Sequence, residues 1–219
     1  LFARFDRHLE EHGLMASGRQ IIDASIVPVP KQRSDRKEND TIKAGETPKD
    51  WQEKPAMLSQ KDTDARWTKK HAKSYYGYKN HVNVDGKHKL IRQYAVTSAN
   101  VHDSRVMDKL ITPDENSKAI YADSAYRSRQ REKRLRTEGY RSHICTKGRR
   151  DNKLSRFQKA LNKRRSRIRA RVEHVFGAMS QSMAAYLIRC IGRVRAAARI
   201  GLNNLTYNMR RYCYLAAAA

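Results

Sequence analysis

The sequence predicts an α/β fold in which a mixed sheet is flanked by helices. The predicted element order is strand, insert, hairpin, helix, strand, helix, strand and helices, which is typical of an α/β chain with an antiparallel start. A short apolar strand lies between two helical segments. A right-handed βαβ crossover would place that strand parallel to an earlier one.

The first strand is predicted from "RQIIDASIVPVP". Apolar residues fall on both of its faces, with Ile21 and Val27 on one and Ile22, Ala24 and Ile26 on the other. A strand that is apolar on both faces is typical of the centre of a sheet. Pro28 and Pro30 are expected to end it, because proline cannot donate a ladder hydrogen bond. Residues 1–14 before it resemble the end of a helix that stops at Gly13.

Residues 31–70 are polar and charged, and prolines and a glycine interrupt them, so we expect an exposed and partly mobile insert. The Asp85-Gly86 pair then lies between two β-rich runs, which predicts a hairpin. "HDSRVMDKLI" suits a helix capped by Asp103 or Ser104. "KAIYADSAY" predicts a short strand ending at Asp123.

The remaining chain is predicted to be mostly helical. "RSRQREKRLRTEG" is a basic helix closed by Gly139, and "RSHICTK" is a short strand. A core-facing stripe at helical spacing follows, formed by Ile168, Val172, Val175, Phe176, Met179 and Met183. A last helix, from about Arg193 to Leu215, carries Val194, Ala198, Leu202, Leu205 and Met209.

The net charge of the chain indicates which class of partner it binds. The 219 residues include 47 Lys and Arg against 22 Asp and Glu, a net charge of +25. Nucleic acid is the leading partner for such a chain, and an anionic membrane surface is the weaker alternative. No apolar run is long enough to span a membrane, and no secretory signal is present. Three scattered cysteines without zinc-type spacing indicate reduced thiols in a cytosolic setting.

Three carboxylates stand out. Asp23 lies mid-strand, where a carboxylate is costly unless it is paired or bound to a metal; Asp123 ends a second apolar strand, where α/β sites cluster. Glu173 lies on a helix, four residues after Arg169. Taken singly, they can be a surface position, a helix N-cap and a salt-bridge partner. Taken together, they are hard oxygen ligands of the kind that Mg²⁺ or Mn²⁺ takes, and two such ions can clamp an in-line phosphoryl displacement.

At these residues the chain resembles a known family. "YADSAYRS" resembles the D-x-(G/A)-(F/Y) motif of bacterial insertion-sequence transposases, and "SRIRARVEHVFGAMS" is similar to their Y-x2-R-x3-E-x6-K signature. The resemblance runs from about Arg19 to Arg211. It implies a DDE transposase with a ribonuclease-H-like catalytic domain over 19–215, preceded by the end of a truncated upstream region at 1–18. By position, the three catalytic and metal-binding acids are Asp23, Asp123 and Glu173.

The resemblance and the charge pattern also suggest DNA contacts. Arg169 matches the signature arginine, whereas Ser166 and Ser180 stand where the family has tyrosine and lysine. Arg165 belongs to the same basic run. Lys79 would meet a phosphate or lie on a solvated face. Trp67 would stack on a splayed base or pin the insert to the core.

The predicted function is therefore DNA transposition: metal-dependent cleavage at transposon ends, then transfer of the 3′-OH into target DNA. The implied partners are double-stranded DNA at the ends and the target, with a homodimer on paired ends and no membrane. The implied location is the bacterial cytoplasm, with the nucleoid. Two alternatives stay open, a metal-dependent nuclease without strand transfer and a non-catalytic basic DNA-binding remnant of a decayed element.

Overall fold

The computed structural model describes residues 1–14, 19–113, 118–183 and 187–218. Within these ranges the elements are, in chain order, α1 Phe2–Glu11, β1 Arg19–Pro28, α2 Arg36–Ala44, α3 Lys49–Gln52, α4 Pro55–Leu58, β2 Arg66–Lys70, β3 Lys73–Asp85, β4 Ile91–Ser98, a one-turn helix Asp103–Arg105, α5 Met107–Leu110, β5 Ala119–Ala122, a one-turn helix Ser124–Tyr126, α6 Arg129–Thr137, β6 Arg141–Ser142, α7 Arg156–Ser182 and α8 Arg193–Ala217.

The strands form one mixed sheet. β1 lies in its centre, antiparallel to β3 on one side and parallel to β5 on the other. β6 continues the sheet in parallel beyond β5, while β2 and β4 both pair with the opposite edge of the long strand β3. This confirms the predicted α/β, ribonuclease-H-like mixed sheet, the central position of the first strand and the parallel placement of the Asp123 strand.

Helices cover both faces of the sheet. On one face α7 packs on β1 and β5, and α8 packs on β3 and β4. The α7 stripe is confirmed, because Val172, Val175 and Met179 are buried against this face, with Ile168, Phe176 and Met183 partly buried beside them. The other face carries α5, α6 and the turns near them, and its core includes Ile22, Ile120, Met107, Leu110, Tyr126 and Leu135.

The buried face of α8 differs from its apolar stripe. The helix forms as predicted, but Val194 is 83% exposed, and Leu202 and Met209 are also exposed. Its buried residues include three asparagines, and two of them bond to the sheet. Asn204 exchanges amide hydrogen bonds with Asn80 of β3, at 2.8 and 3.2 Å. Asn208 accepts from the Ile91 N–H at 2.9 Å and donates to the Ile91 carbonyl at 2.7 Å. Satisfied amides therefore accompany the apolar contacts of Ala196, Ile200 and Tyr207 at this interface.

The insert contains ordered structure. Residues 31–70 include α2, α3, α4 and β2, and Trp51 of α3 is buried with its indole donating to Glu38. Asp62 anchors the end of the insert on the sheet. Its buried carboxylate accepts the Tyr78 hydroxyl of β3 at 2.8 Å and the Ala65 N–H at 3.0 Å. The insert is thus tied to the core by its own residues.

Several boundaries differ from the sequence prediction. The hairpin is confirmed, although its turn spans five residues between β3 and β4. The N-cap of the one-turn helix Asp103–Arg105 is His102, and neither of the two predicted caps has that role. The His102 ring nitrogen accepts the Ser104 N–H. The predicted 141–147 strand shrinks to Arg141–Ser142. Short polar segments follow tertiary partners, which local patterns do not reveal.

The first helix docks on the domain. Its Asp6 and Glu10 form ion pairs with Arg92 of β4, at 3.1 and 2.9 Å, and α1 also contacts α8. The helix ends at Glu11, before Gly13 with φ of 69°, as predicted. The domain boundary predicted at residue 18 adjoins residues 15–18, which lie outside the described residues.

Candidate active site

Two aspartates emerge side by side from neighbouring strands. The parallel pairing of β1 with β5 ends where Ile22 lies opposite Ala122. The next residue after Ile22 is Asp23, and the next residue after Ala122 is Asp123. Strand alternation places Asp23 on the face that carries Ile21, which packs under α7. The predicted adjacency of the two strands is therefore confirmed.

Local backbone contacts hold each aspartate differently. Asp23 lies mid-strand, and its Oδ1 accepts the Ala24 N–H at 2.8 Å. Asp123 follows the last residue of β5 and caps the one-turn helix Ser124–Tyr126, its Oδ1 accepting the Ser124 N–H at 2.6 Å. The N-cap interpretation of Asp123 is therefore confirmed, and its role in a catalytic site stays a prediction. Asp123 is exposed, so capping leaves the carboxylate open to solvent.

One guanidinium joins Glu173 to Asp23. Arg169 of α7 donates through Nη1 to Asp23 Oδ2 at 2.6 Å and through Nη2 to Glu173 Oε1 at 3.3 Å. The helical salt bridge expected for a lone glutamate is therefore present. The same arginine also contacts Asp23, so Arg169 links Glu173 to one of the two sheet aspartates, and the role of Glu173 as a metal ligand stays a prediction. Asp23 and Arg169 are mostly buried, whereas Glu173 is 62% exposed.

The cluster carries more negative than positive charge. Burial raises the pKa of Asp23 and the Asp123 charge adds to it, although Arg169 opposes both. Burial disfavours the charged form of Arg169, yet Asp23, Asp123 and Glu173 together raise its pKa. Three carboxylates thus act on one guanidinium, an arrangement that favours additional positive charge.

The donor chemistry suits a divalent cation, with one condition. Carboxylate oxygens are the ligands that Mg²⁺ and Mn²⁺ prefer. Yet across 1–14, 19–113, 118–183 and 187–218, no group of three or more His, Cys, Asp or Glu side chains is spaced to hold a metal. Arg169 lies between Asp23 and Glu173. The two aspartates would offer carboxylate oxygens to such an ion, and Glu173 would join them only if Arg169 moved aside.

Four of the six predicted DNA-contact residues, Arg169 among them, share α7 with Glu173. Arg165 donates to the Ile144 carbonyl at 2.8 Å, which ties α7 to the chain after β6. Ser166 and Ser180 are both exposed. The Ser166 hydroxyl lies 3.9 Å from a cysteine sulfur, and the Ser180 hydroxyl donates to the Phe176 carbonyl one turn back, at 2.9 Å. DNA contact by these residues and by Arg169 stays a prediction.

The other two lie further from the acids. Lys79 faces away from Asp23, because it pairs with Ile26 in the β1–β3 register. Its ammonium donates to Asp103 at 2.8 Å and to the Val101 carbonyl at 2.7 Å, so the solvated-face interpretation is wrong. Trp67 lies on the edge strand β2, 42% exposed, with its ring tilted against Tyr76 at 5.2 Å. Both interpretations of Trp67 stay predictions.

Sequence reasoning missed two residues near the acids. Tyr126 is buried, and its hydroxyl has no hydrogen-bond partner in the described part of the chain. Burial, then Asp23, Asp103 and Asp123, raise its pKa. Its signal was available, because Tyr126 is the aromatic position of "YADSAYRS". The charge of Lys70 on β2 opposes part of the rise in the Asp23 pKa, and no local sequence pattern links these two residues.

The sheet is ribonuclease-H-like, and carboxylates lie on β1, directly after β5 and on a long basic helix. These are the features of DDE-type nucleic-acid enzymes, the class that the resemblance implied. Comparison with known proteins agrees. The family model described as "Transposase DDE domain" matches residues 16–209, and the chain belongs to this family. The protein is thus a DNA-processing enzyme, with DNA as its partner.

A curated relative gives a more specific likeness. The chain is 26% identical over 211 residues to a protein of Neisseria meningitidis serogroup B named "Transposase for insertion sequence element IS1106". The match covers 95% of this chain and 70% of that relative. No solved structure matches the chain. Separately, none of the described helices is both long and apolar enough to cross a membrane.

Proposed function

We propose that this protein cuts DNA at the ends of an insertion sequence and joins the freed 3′-OH ends to target DNA. The observation that carries the proposal is the cluster itself. Asp23 and Asp123 emerge together from the sheet, and Arg169 links Glu173 to Asp23. The name of the Neisseria relative supports an insertion sequence as the mobile element.

Asp23, Asp123 and Glu173 would hold divalent ions, Mg²⁺ or Mn²⁺, in a two-ion site. When bound, such ions activate a water or a 3′-OH and stabilise the attacking and leaving oxygens of an in-line displacement. The chain supplies the rigid part of this site. Hydrogen-bonded strands on both sides fix Asp23, and the cap to Ser124 fixes Asp123. Glu173 is exposed on a helix, so its side chain is the adaptable member.

Arg169 is the second functional group of the cluster. In this structure it neutralises part of the carboxylate charge. When Glu173 turns to the aspartates, the guanidinium is released to contact a backbone phosphate, for which its planar donor fork is suited. Arg165, Ser166, Ser180 and Trp67 are the further DNA-contact residues of this proposal, and Lys79 is left out because Asp103 and the Val101 carbonyl hold its ammonium. Joining both ends to one target calls for two active sites, so we expect a homodimer acting at the bacterial nucleoid.

The test uses a duplex carrying the element's terminal DNA, either intact or pre-cut with a free 3′-OH, together with a supercoiled target plasmid and Mg²⁺. The wild-type chain is compared with Asp23→Asn and Asp123→Asn. Glu46→Gln, an exposed carboxylate in the insert, is the matched control. Loss of cleavage and joining in both aspartate variants, with normal activity in the control, is the expected result.

Two other outcomes would replace the proposal. Cleavage of the intact duplex without joining of the pre-cut duplex would identify a metal-dependent nuclease. DNA binding with neither reaction, unchanged in all variants, would identify a non-catalytic DNA-binding remnant.

A further inference from the structure

A basic cleft opens beside the acidic site. It lies between α6 and the loop formed by residues 146–150, with a volume of about 1180 Å³. Ser124, the residue after Asp123, lines it. Arg129, Lys133 and Arg136 line it from α6, at a spacing that places them on one face of the helix. Lys147, Arg149 and Arg150 line it from the loop, so two rows of cations face each other.

The positive charge of the cleft is almost unopposed. Glu132 is its single acidic lining residue, and Arg127 already pairs with that carboxylate at 3.5 Å. The six cations of α6 and the loop are all exposed, and none of them forms an ion pair within the part of the chain that the structure describes. Unpaired cations repel one another, so the cleft favours an anionic occupant.

The walls of the cleft are fixed from behind. Asn162 of α7 clasps the loop at Thr146, accepting its N–H at 2.9 Å and donating to its carbonyl at 2.8 Å. Arg127 also donates to the Thr146 hydroxyl. On the other side, Ser128 caps α6 by accepting the Arg131 N–H at 3.2 Å. The two rows of cations are therefore held by the same helix that carries Glu173 and by the turn that follows Asp123.

The lining indicates which part of a nucleic acid would bind. Apart from the Glu132 carboxylate, the described lining side chains with polar groups are cations and hydroxyls, and no aromatic residue is among them; the hydroxyls belong to Ser124, Ser128, Thr137 and Thr146. Sites for single strands usually stack bases on aromatic side chains. Cations and hydroxyls instead contact phosphates, which position a duplex without reading its sequence.

We propose that this cleft binds the sugar-phosphate backbone of duplex DNA on one side of the bond that is cut at the three acids. The inference rests on the proposed function, because it takes the occupant to be the DNA that is cut and joined. It adds the surface and the face of the domain along which that DNA leaves the site. Ser124 lines the cleft and follows Asp123 directly, so the cleft begins next to one of the acids.

The test compares two triple variants of equal charge. Arg129→Gln, Lys133→Gln and Arg136→Gln remove three cations from the cleft. Arg36→Gln, Lys37→Gln and Lys49→Gln remove three exposed cations from the insert. Binding to duplex and to single-stranded DNA of the same sequence is measured over a range of salt concentrations. For the duplex, the cleft variant should lower the slope of log K against log salt by about 3, one for each lost phosphate contact, and the control by less than about 1.

Equal slopes for the two variants would show that the cleft is not a DNA-binding surface. A loss of affinity confined to single-stranded DNA would show that duplex DNA is not its ligand. Should the cleft variant fail to fold, Lys133→Glu against Lys37→Glu gives the same comparison with one exposed residue each; only the first should weaken duplex binding. The aspartate variants keep the two proposals apart. If Asp23→Asn cuts DNA normally and the cleft variant still lowers the slope of log K against log salt, the catalytic proposal is refuted and the DNA-binding cleft is supported.

Discussion

Replacing Arg169 with methionine would test whether the guanidinium and a divalent ion share the same negative site. Methionine keeps the apolar stem of the side chain and removes its charge. The contact with Glu173 is an exposed helical pair, worth a few tenths of a kcal/mol. The contact with Asp23 is shorter and its two side chains are only 22% and 17% exposed, so its loss should cost about 2 kcal/mol.

The expected effect without divalent ions is a fall in Tm of roughly 4–8 °C, since 1 kcal/mol shifts the Tm of a chain of this size by about 2–4 °C. Added Mg²⁺ should restore much of this loss, because it supplies the missing positive charge. The Mg²⁺-induced rise in Tm should therefore be larger in Arg169→Met than in the wild type. Each tenfold gain in Mg²⁺ affinity adds about 1.4 kcal/mol at saturation.

Thermal unfolding with and without saturating Mg²⁺ measures both effects. Arg167→Met, an exposed position on the same helix, has the same change in charge and is the matched control. Equal Mg²⁺ responses in Arg169→Met and the control would refute the idea of a shared site. No response in any protein, wild type included, would count against the divalent-ion proposal as a whole.

Four further changes test the site and the core. Glu173→Gln keeps the shape of the side chain and removes its charge, so joining of pre-cut ends should fall by several orders of magnitude while duplex binding persists; a surviving reaction would leave Glu173 as a salt-bridge partner alone. Asp62→Ala should lower the free energy of unfolding by about 3 kcal/mol in urea titrations, because it leaves the buried Tyr78 hydroxyl without its acceptor. Gly201→Ala should destabilise α8 by about 1 kcal/mol or more, since its Cβ would meet a β4 tyrosine hydroxyl. Gly177→Ala on α7, where no atom lies within 4 Å, should instead gain about 0.5–1 kcal/mol, and a similar result at both positions would contradict the packing argument.

The sheet and the acid positions could be predicted because their signals are local. The apolar faces around Asp23 mark a central strand, and the strand-to-turn change at Asp123 marks a carboxyl end. Glu173 follows from its helix and its signature spacing. These signals need no knowledge of what packs against them.

Other features depend on partners distant in sequence. The role of Arg169 as a bridge requires the approach of α7 to β1, 146 residues apart along the chain at the contact with Asp23. The commitment of Lys79 to Asp103 depends on how β3 meets the 103–105 turn. The buried side of α8 could not be predicted for a different reason. An apolar stripe indicates the buried side of a helix only when the polar residues on another side would lack hydrogen-bond partners if they were buried.

The asparagines of α8 fix the position of the helix on the sheet. Apolar contacts are tolerant of direction, so a helix held by them alone can roll, or slide by a turn, with modest loss. Amide pairs are directional, and Asn208 meets both backbone groups of Ile91 in one register alone. Sliding α8 by one turn would leave these buried donors and acceptors unpaired on both elements. The helix is therefore held in one register on β3 and β4. Its exposed stripe of Val194, Leu202 and Met209 consequently faces solvent in one fixed orientation.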